Sequence, residues 1–388
     1  MKKPTVLDLF CGCGGMSKGF EMAGFRILAG NDNWDPALNT FEINHPDAKA
    51  IRGDIRNEKV RKEIIKTVDR KVDVIIGGPP CQAFSLAGRR DPNDPRGKLF
   101  YDYVEIVKHI GPKFFVIENV KGILAMYHFR DDLSEKEKKI SDNILKKIDS
   151  LTSERLGLLK NTELTDDQII RRRTYISKEL SKLRMGLRNF QEPVIKMIEK
   201  EFRKIGYEIK FRTLMAADYG VPQKRQRVIF IGTKKDVQTF PRPTHSKISS
   251  KTVGNSILKK WVGVGKVLKE KERVDKAFFH SPKMLAGFRK REKINRKLKN
   301  GFGWQILRMD EPSFTISARY WKDGADALVK YSENEIRMLT PDECAAIQSF
   351  PKGFKFTGSK RDIYSQIGNA VPPLLAKAIA EEIKKAFN

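Results

Sequence analysis

The stretch from Val74 to Ser85, VIIGGPPCQAFS, does most to limit what this chain can fold into. Three consecutive β-branched apolar residues, Val74-Ile75-Ile76, mark a buried strand. Gly77-Gly78 lets the backbone turn sharply after it, and Pro79-Pro80 stiffens the exit. Cys81 is thereby delivered at the carboxyl end of a strand, where open α/β sheets place their ligands. A thiol held there is a candidate nucleophile, and a small buried hydrophobe is the alternative. The rest of the chain has to decide between them.

The amino terminus repeats the pattern. Thr5 to Phe10 reads as a strand, Cys11-Gly12-Cys13-Gly14-Gly15 as a glycine-rich turn, and Met16 to Ala23 as a helix stopped by Gly24. This order suits a Rossmann-like nucleotide site, where the backbone must come close to its ligand. A second strand, Phe25 to Gly30, runs into Asn31-Asp32-Asn33-Trp34. Asp32 stands where this architecture puts an acid on a ribose hydroxyl pair, with a helix cap as the other reading. Trp34 is placed to flank an adenine. Asp54-Ile55 is expected to begin a charged helix ending at Asp69.

After Cys81, the polar run Leu86 to Lys98 reads as a loop suited to be a lid, and Tyr101 to Ile110 as a helix. The strand Phe114-Phe115-Val116-Ile117 ends in Glu118-Asn119-Val120, which puts a carboxylate on the same sheet edge as Cys81. His128 to about Lys204 carries one long helical pattern, expected to fold as an antiparallel pair joined near Asn161–Asp167. The sheet resumes at Tyr207 to Leu214 and again at Val228 to Gly232. Arg225 and Arg227, two apart at a strand entrance, are expected to share a face.

Charge identifies the kind of partner. The chain has 76 Lys and Arg against 48 Asp and Glu, a net charge of +28, which calls for a polyanion. Between Arg242 and Arg308 there are 19 basic residues against 4 acidic ones, interleaved with aromatics such as Trp261, Phe288 and Trp304. Between His128 and Lys204 the balance is 19 against 14, as on an ordinary solvated helix pair. The four cysteines show no paired spacing and no histidine cluster, so neither disulfides nor a metal site is expected. The chain starts straight into a strand and has no apolar run long enough to span a membrane. A cytoplasmic, nucleoid-associated protein is expected.

Six motifs, in order, resemble the C5-cytosine DNA methyltransferases. DLFCGCGG (Asp8–Gly15) is similar to the family's first cofactor motif, and GGPPCQAFS (Gly77–Ser85) to its nucleophile motif. Glu118-Asn119-Val120 is similar to the ENV motif and Gln223 to Arg227 to the QxRxR motif. RMLTPDECAAIQSFP (Arg337–Pro351) and QIGNAVPP (Gln366–Pro373) resemble the last two. The resemblance implies an α/β fold: a Rossmann-like S-adenosylmethionine-dependent domain, a smaller basic target-recognition domain and a helical-hairpin insertion. The catalytic domain would span 1–237, with the insertion at 128–204. The recognition domain would span 238–335, and 336–388 would return to the catalytic domain. The insertion departs from the family's shorter members, and Thr315-Ile316 resembles a short motif near the end of the recognition domain.

By the same resemblance, S-adenosylmethionine would lie against Phe10, Gly12, Gly14, Asp32, Asn33, Trp34, Asp54, Ile55, Pro79, Asn369 and Ala370. The usual bulky neighbour of the adenine falls on Asn33, with Trp34 displaced by one. Cytosine C5 is a poor nucleophile, so Cys81 would attack C6 to activate it. Glu118 would serve N3, Arg225 would contact the base near O2, and Arg227 would support the site. The target carbon is out of reach in a duplex, so the base must flip out. Double-stranded DNA is the implied partner and a monomer the implied state; the sequence leaves open a companion restriction endonuclease. Two rivals stand beside this reading: an RNA cytosine methyltransferase on the same fold, and a DNA-binding module built on an inactive one. The large basic segment argues against the first, and an intact Cys81, Glu118 and Arg225 against the second.

Overall fold

The computed structural model describes residues 2–69, 71–80, 95–130, 132–158, 164–234, 240–248, 252–253, 256–298 and 304–387. They fall into two compact units. One spans Met1–Pro80, Tyr101–Lys121 and Phe202–Asn388; the other spans Cys81–Phe100 and Gly122–Glu201.

The first unit opens with alternating strands and helices: β1 (Thr5–Leu9), α1 (Gly15–Met22), β2 (Arg26–Asp32), α2 (Asp35–Asn44), β3 (Lys49–Arg52), α3 (Glu58–Val68) and β4 (Val74–Gly77). Next come α4 (Pro95–Ile110), which begins outside this unit, and β5 (Phe114–Val120). The runs Val74–Gly77 and Phe114–Asn119 are buried on both faces, which is why they read as unbroken apolar stretches. α3 starts at Glu58, later than the expected Asp54, because the Asn57 side chain accepts from the Lys59 amide and caps it there. α4 starts at Pro95, inside the stretch expected as loop; a proline's fixed φ suits a first helical position.

The second unit holds the insertion. β6 (Tyr127–Phe129) pairs antiparallel with β7 (Gln191–Pro193), and between them run α5 (Glu135–Gly157) and α6 (Asp166–Leu187). Capping boxes at Ser134/Glu137 and Thr165/Gln168 start the two helices. Arg172 Nε donates to Glu154 at 2.6 Å, so the start of α6 lies beside the end of α5 and the pair is antiparallel, as expected. The expected single helical pattern to Lys204 is interrupted, however. β7 ends at Pro193, whose missing amide separates α6 from α7 (Val194–Lys204). The expected joint lies partly outside the described residues, which omit 159–163.

The sheet is completed by β8 (Glu208–Met215) and β9 (Gln226–Thr233), giving the order β3-β2-β1-β4-β5-β9-β8. The first five strands are parallel; β9 runs antiparallel to β5, and β8 antiparallel to β9. Chain order reverses between β1 and β4, which makes a topological switch point at their carboxyl ends. Short pairs follow, β10 (His245–Ser246) with β13 (Lys259–Lys260) and β11 (Thr252–Val253) with β12 (Ser256–Ile257). Then come α8 (Pro282–Leu298), β14 (Leu328–Lys330), β15 (Ile336–Met338), α9 (Pro341–Ile347), α10 (Lys360–Asn369) and α11 (Pro373–Lys384). The Thr340 side chain accepts from the Glu343 amide and caps α9.

Two cores support these elements. The sheet core includes Val6, Phe20, Ile76, Val116 and Ile231, and takes in Leu375 and Ile379 of α11. Gly19 of α1 lets α11 approach closely, since a Cβ there would stand 2.4 Å from that of Ala376. The other core joins Leu285, Phe288 and Leu328 of the basic segment to Ile336, Ile347, Tyr364 and Ile367. The chain therefore changes cores between Ile367 and Val371. Among the described residues, no helix is long and apolar enough to cross a membrane, and no group of His, Cys, Asp and Glu could hold a metal ion.

Candidate active site at the carboxyl edge of the sheet

Four parallel strands deliver the expected residues to one edge. Phe10, Gly12 and Gly14 follow β1, Asp32 ends β2, Pro79 follows β4 and Glu118 stands near the end of β5. Asp54 follows β3 on the same edge. Cys81 and most of the expected lid lie in 81–94, outside the described residues. Pro79, two positions before Cys81, is fixed by the Asn119 amide, which donates to its carbonyl at 3.0 Å.

Glu118 is the best-defined group here. Its Oε1 pairs with Arg227 Nε at 2.6 Å, and both side chains are about nine-tenths buried, at 11% exposure each. Across the β5–β9 pairing, Glu118 stands opposite Ile229 and Val120 opposite Arg227, which brings the arginine back over the carboxylate. On the other side is Gly78, where a Cβ would stand 3.2 Å from Glu118 Oε2. A carboxylate and a guanidinium thus meet beside the turn that leads to Cys81.

Arg225 does not share that face. It is buried at 1% exposure and donates to the Ile316 carbonyl at 3.2 Å and to the Gly368 carbonyl at 2.8 Å. Burial first, and the Arg227 charge second, work against its cation, and the two carbonyls compensate. The expected base contact by Arg225 is corrected accordingly: β9 begins at Gln226, so Arg225 precedes the strand and the two-residue alternation does not reach it. Its neighbours tie the same segments. Lys224 N donates to the Ser313 carbonyl at 2.7 Å, and the Thr315 hydroxyl to the Lys224 carbonyl at 2.8 Å.

At the other end of the edge, the glycine turn is held open and rigid. Phe10, Gly12 and Gly14 have φ of 59°, 53° and 87°. Nothing lies within 4 Å of where a Gly12 Cβ would stand, so the backbone there is open to a ligand. Asp32 accepts from Gly12 N and from Trp34 N, both at 2.8 Å. Trp34 itself occupies the cap position of α2, so Asp32 is not the helix cap of the alternative reading. Burial raises the Asp32 carboxyl above its usual range against those bonds. Asn33 is exposed and bonds Asp54, whose carboxyl is lowered by its bond to Arg56 first; Trp34 is half-buried. Ile55 is buried. Asn369 ends α10 exposed, and Ala370 and Val371 abut Gly15, where a Cβ would stand 3.1 and 2.6 Å from them.

Two features had no sequence signal. Asp8 is buried under the turn and accepts from the Ser17 hydroxyl at 2.6 Å; burial pushes its carboxyl up to about 7. His45, at the end of α2, holds Gly14 from behind.

The family model for C-5 cytosine-specific DNA methylase matches residues 4–153 and 184–385 and leaves most of α6 unmatched. Among curated relatives, the Type II methyltransferase M.FnuDI of Fusobacterium nucleatum is 34% identical, covering 98% of this chain and 94% of its own. Type II methyltransferase M1.HphI of Haemophilus parahaemolyticus is 33% identical over 98% and 87%. M.MthTI of Methanothermobacter thermautotrophicus is 30% identical over 98% and 97%. Among solved structures, the S. pombe Dnmt2 methyltransferase shares the fold with a TM-score of 0.61 at 16% identity, covering all of both chains. With motifs, sheet order and site edge in agreement, this chain belongs to the C-5 cytosine-specific DNA methylase family.

Proposed function

We propose that this chain transfers a methyl group from S-adenosylmethionine to C5 of a cytosine flipped out of a specific duplex DNA sequence, with Cys81 as covalent nucleophile. The observation that carries the reading is the Glu118–Arg227 pair beside Gly78, on the approach to Cys81.

The residues fit such a cofactor. The open side of Gly12 admits a ligand against the backbone, and the Asp32 carboxylate offers acceptors for a ribose hydroxyl pair beside the amides it already takes. Phe10, Gly14, Trp34, Asp54, Ile55, Pro79, Asn369 and Ala370 complete that end of the edge. When bound, S-adenosylmethionine supplies an electrophilic methyl on a sulfonium sulfur.

The chain's own residues prepare the base to take it. The Cys81 thiolate forms a bond to C6, and the ring electrons move toward C5 and N3. Glu118 supplies the proton or hydrogen bond that N3 takes up, and Arg227, rather than Arg225, contacts O2, a role its pairing with Glu118 supports. Once C5 is methylated, loss of its proton lets the C6–S bond break and returns the thiolate. The basic segment of 238–335 supplies phosphate contacts, with exposed Lys247, Lys259, Lys260 and Lys266 among them. Its relatives' Type II designation makes a restriction endonuclease of the same target the natural companion.

Trapping on duplex DNA carrying 5-fluorocytosine tests this, because fluorine blocks the final elimination. A denaturation-resistant adduct with the wild type and none with Cys81→Ala is expected. An adduct only on RNA carrying the same analogue would overturn the substrate, and no adduct on either, with cofactor still bound, would overturn the enzyme reading.

A further inference from the structure

His45 is completely shielded, yet both of its ring nitrogens face acceptors. Nδ1 lies 2.8 Å from Glu21 Oε1, and Nε2 lies 3.3 Å from the Gly14 carbonyl. The side chain is 0% exposed, so no water can mediate either contact. A neutral imidazole has one N–H. With the proton on Nδ1, the Nε2 lone pair would point at the Gly14 oxygen; with it on Nε2, the Nδ1 lone pair would point at a carboxylate. Only the imidazolium donates to both.

We infer that His45 is a positioning residue for the cofactor: it bridges Glu21 and the Gly14 carbonyl and pins the glycine turn in its binding shape. The inference rests on the reading that S-adenosylmethionine lies against that turn. The geometry leaves little slack. Gly14 has φ +87°, caps α1 without a side chain, and presents its backbone so close that a Cβ would stand 2.4 Å from His45 Nε2. Its carbonyl also accepts from Lys18 N at 2.8 Å, so His45 takes the second lone pair. The ring is held by Phe41, with centroids 4.6 Å apart, and by Phe354 edge-on.

The charged groups facing His45 come from α1. Glu21 is its partner, and Lys18 Nζ lies 3.1 Å from the other Glu21 oxygen. Burial would raise the Glu21 carboxyl, but its bonds to His45 and Lys18 outweigh that and hold it below the usual range. From α2's own side the neighbour is Phe41; from the 354 loop it is Phe354, with Lys355 turned out to solvent. Asp8 belongs to the same turn but bonds Ser17, so its titration is separate.

Two variants separate the contributions. In Glu21→Gln the amide can donate to Nδ1, so a neutral His45 still donates from Nε2 to Gly14. In His45→Phe the stacking on Phe41 survives and the donor is lost. Expected is a Kd for S-adenosylmethionine about tenfold weaker in His45→Phe than in the wild type, the loss of one buried hydrogen bond. Glu21→Gln, which keeps the bond to Gly14, should bind within about twofold of the wild type. KM for the cofactor should follow Kd while kcat at saturation does not. Ring-nitrogen NMR of His45, assigned against His45→Phe, should show a proton on Nε2 in the wild type and in Glu21→Gln.

An Nε2 without a proton in the wild type, or a His45→Phe that binds the cofactor as tightly as the wild type, overturns the inference. Should His45→Phe fail to fold, the Nε2 proton in the wild type and Glu21→Gln still decides it. Absence of S-adenosylmethionine binding in the wild type would overturn the cofactor reading instead, and the NMR, which needs no ligand, would still judge the latch.

Discussion

Arg225→Met and Arg227→Met should part in a way that the motif does not predict. Arg225 makes two bonds to carbonyls in a fully buried setting, one of 3.2 Å and one of 2.8 Å. Removing both donors strands two buried oxygens, at about 1 kcal/mol for the longer bond and about 2 kcal/mol for the shorter, charge-assisted one. Relief of the buried cation's desolvation offsets part of this, leaving a net loss of about 2 kcal/mol, with methionine filling most of the volume. Arg227 sits on β9 against Glu118, and its loss deprives that carboxylate of its cation, and under the proposed function removes the group that contacts the base. A fall in kcat of about 100- to 1000-fold is expected, the usual effect of deleting one preorganised donor. The assays are urea unfolding and transfer of labelled methyl from S-adenosylmethionine to duplex DNA well below the unfolding midpoint. Arg225→Met should be clearly less stable yet keep kcat within about tenfold of wild type. The reasoning fails if Arg225→Met is as stable as wild type and loses turnover by two orders of magnitude while Arg227→Met keeps it.

Asp8→Asn should change the pH dependence of stability. The native carboxyl is raised from 3.8 to about 7, so the folded chain holds a proton that the unfolded chain releases; stability falls as pH rises across that interval, by about 4 kcal/mol. Urea midpoints at pH 5 and pH 8 should differ in the wild type and converge in Asp8→Asn. Replacing exposed Lys259 and Lys260 by Gln should reduce the slope of log K for DNA against log salt by about 2, measured by anisotropy titration, with the target sequence unchanged. Replacing 150–176 by a short glycine linker should leave methyl transfer and cofactor binding intact, because the base cluster of Phe129, Leu133 and Leu187 survives; lost activity would show that the hairpin's far end takes part. Gly368→Ala would put a Cβ 2.4 Å from the Ser317 carbonyl carbon, and should weaken DNA and cofactor affinity together in parallel titrations.

Much of this architecture is legible in the sequence, and the exceptions have physical causes. Strands such as Val74–Gly77 and Phe114–Val120 announce themselves because burial on both faces demands consecutive apolar residues. Glycine turns and proline exits mark the carboxyl edge for the same reason, since few residues tolerate those backbones. β6 and β7 do not announce themselves: three residues each are too few to show a period. Arg225 is misread because alternation is a property of strands and Arg225 lies one residue before its strand. The His45 bridge is invisible for another reason. It joins the end of α2 to Glu21 and Gly14, and nothing local at His45 distinguishes it from a surface histidine.

The stretch Gln366–Val371 joins segments that lie far apart in the chain. Here the chain leaves the core of the basic segment, through Ile367, and enters the sheet core, through Val371. The Gln366 carbonyl faces Cys13 Sγ at 3.8 Å, in the glycine turn. The Gly368 carbonyl takes Arg225, whose other bond goes to Ile316 in the segment that closes the recognition core. Ala370 and Val371 abut Gly15 at the start of α1. Five residues thus touch the glycine turn, the arginine loop that leads into β9, and the core of the basic segment. Arg227 follows Arg225 by two residues and reaches Glu118, so a shift of that core has a short, covalently continuous path to the Glu118 carboxylate. Packed elements of this kind move between discrete arrangements rather than deforming smoothly. A displacement of the core around Ile316 and Ile367 would therefore reach both the glycine turn and the Glu118–Arg227 pair through the same few backbone groups.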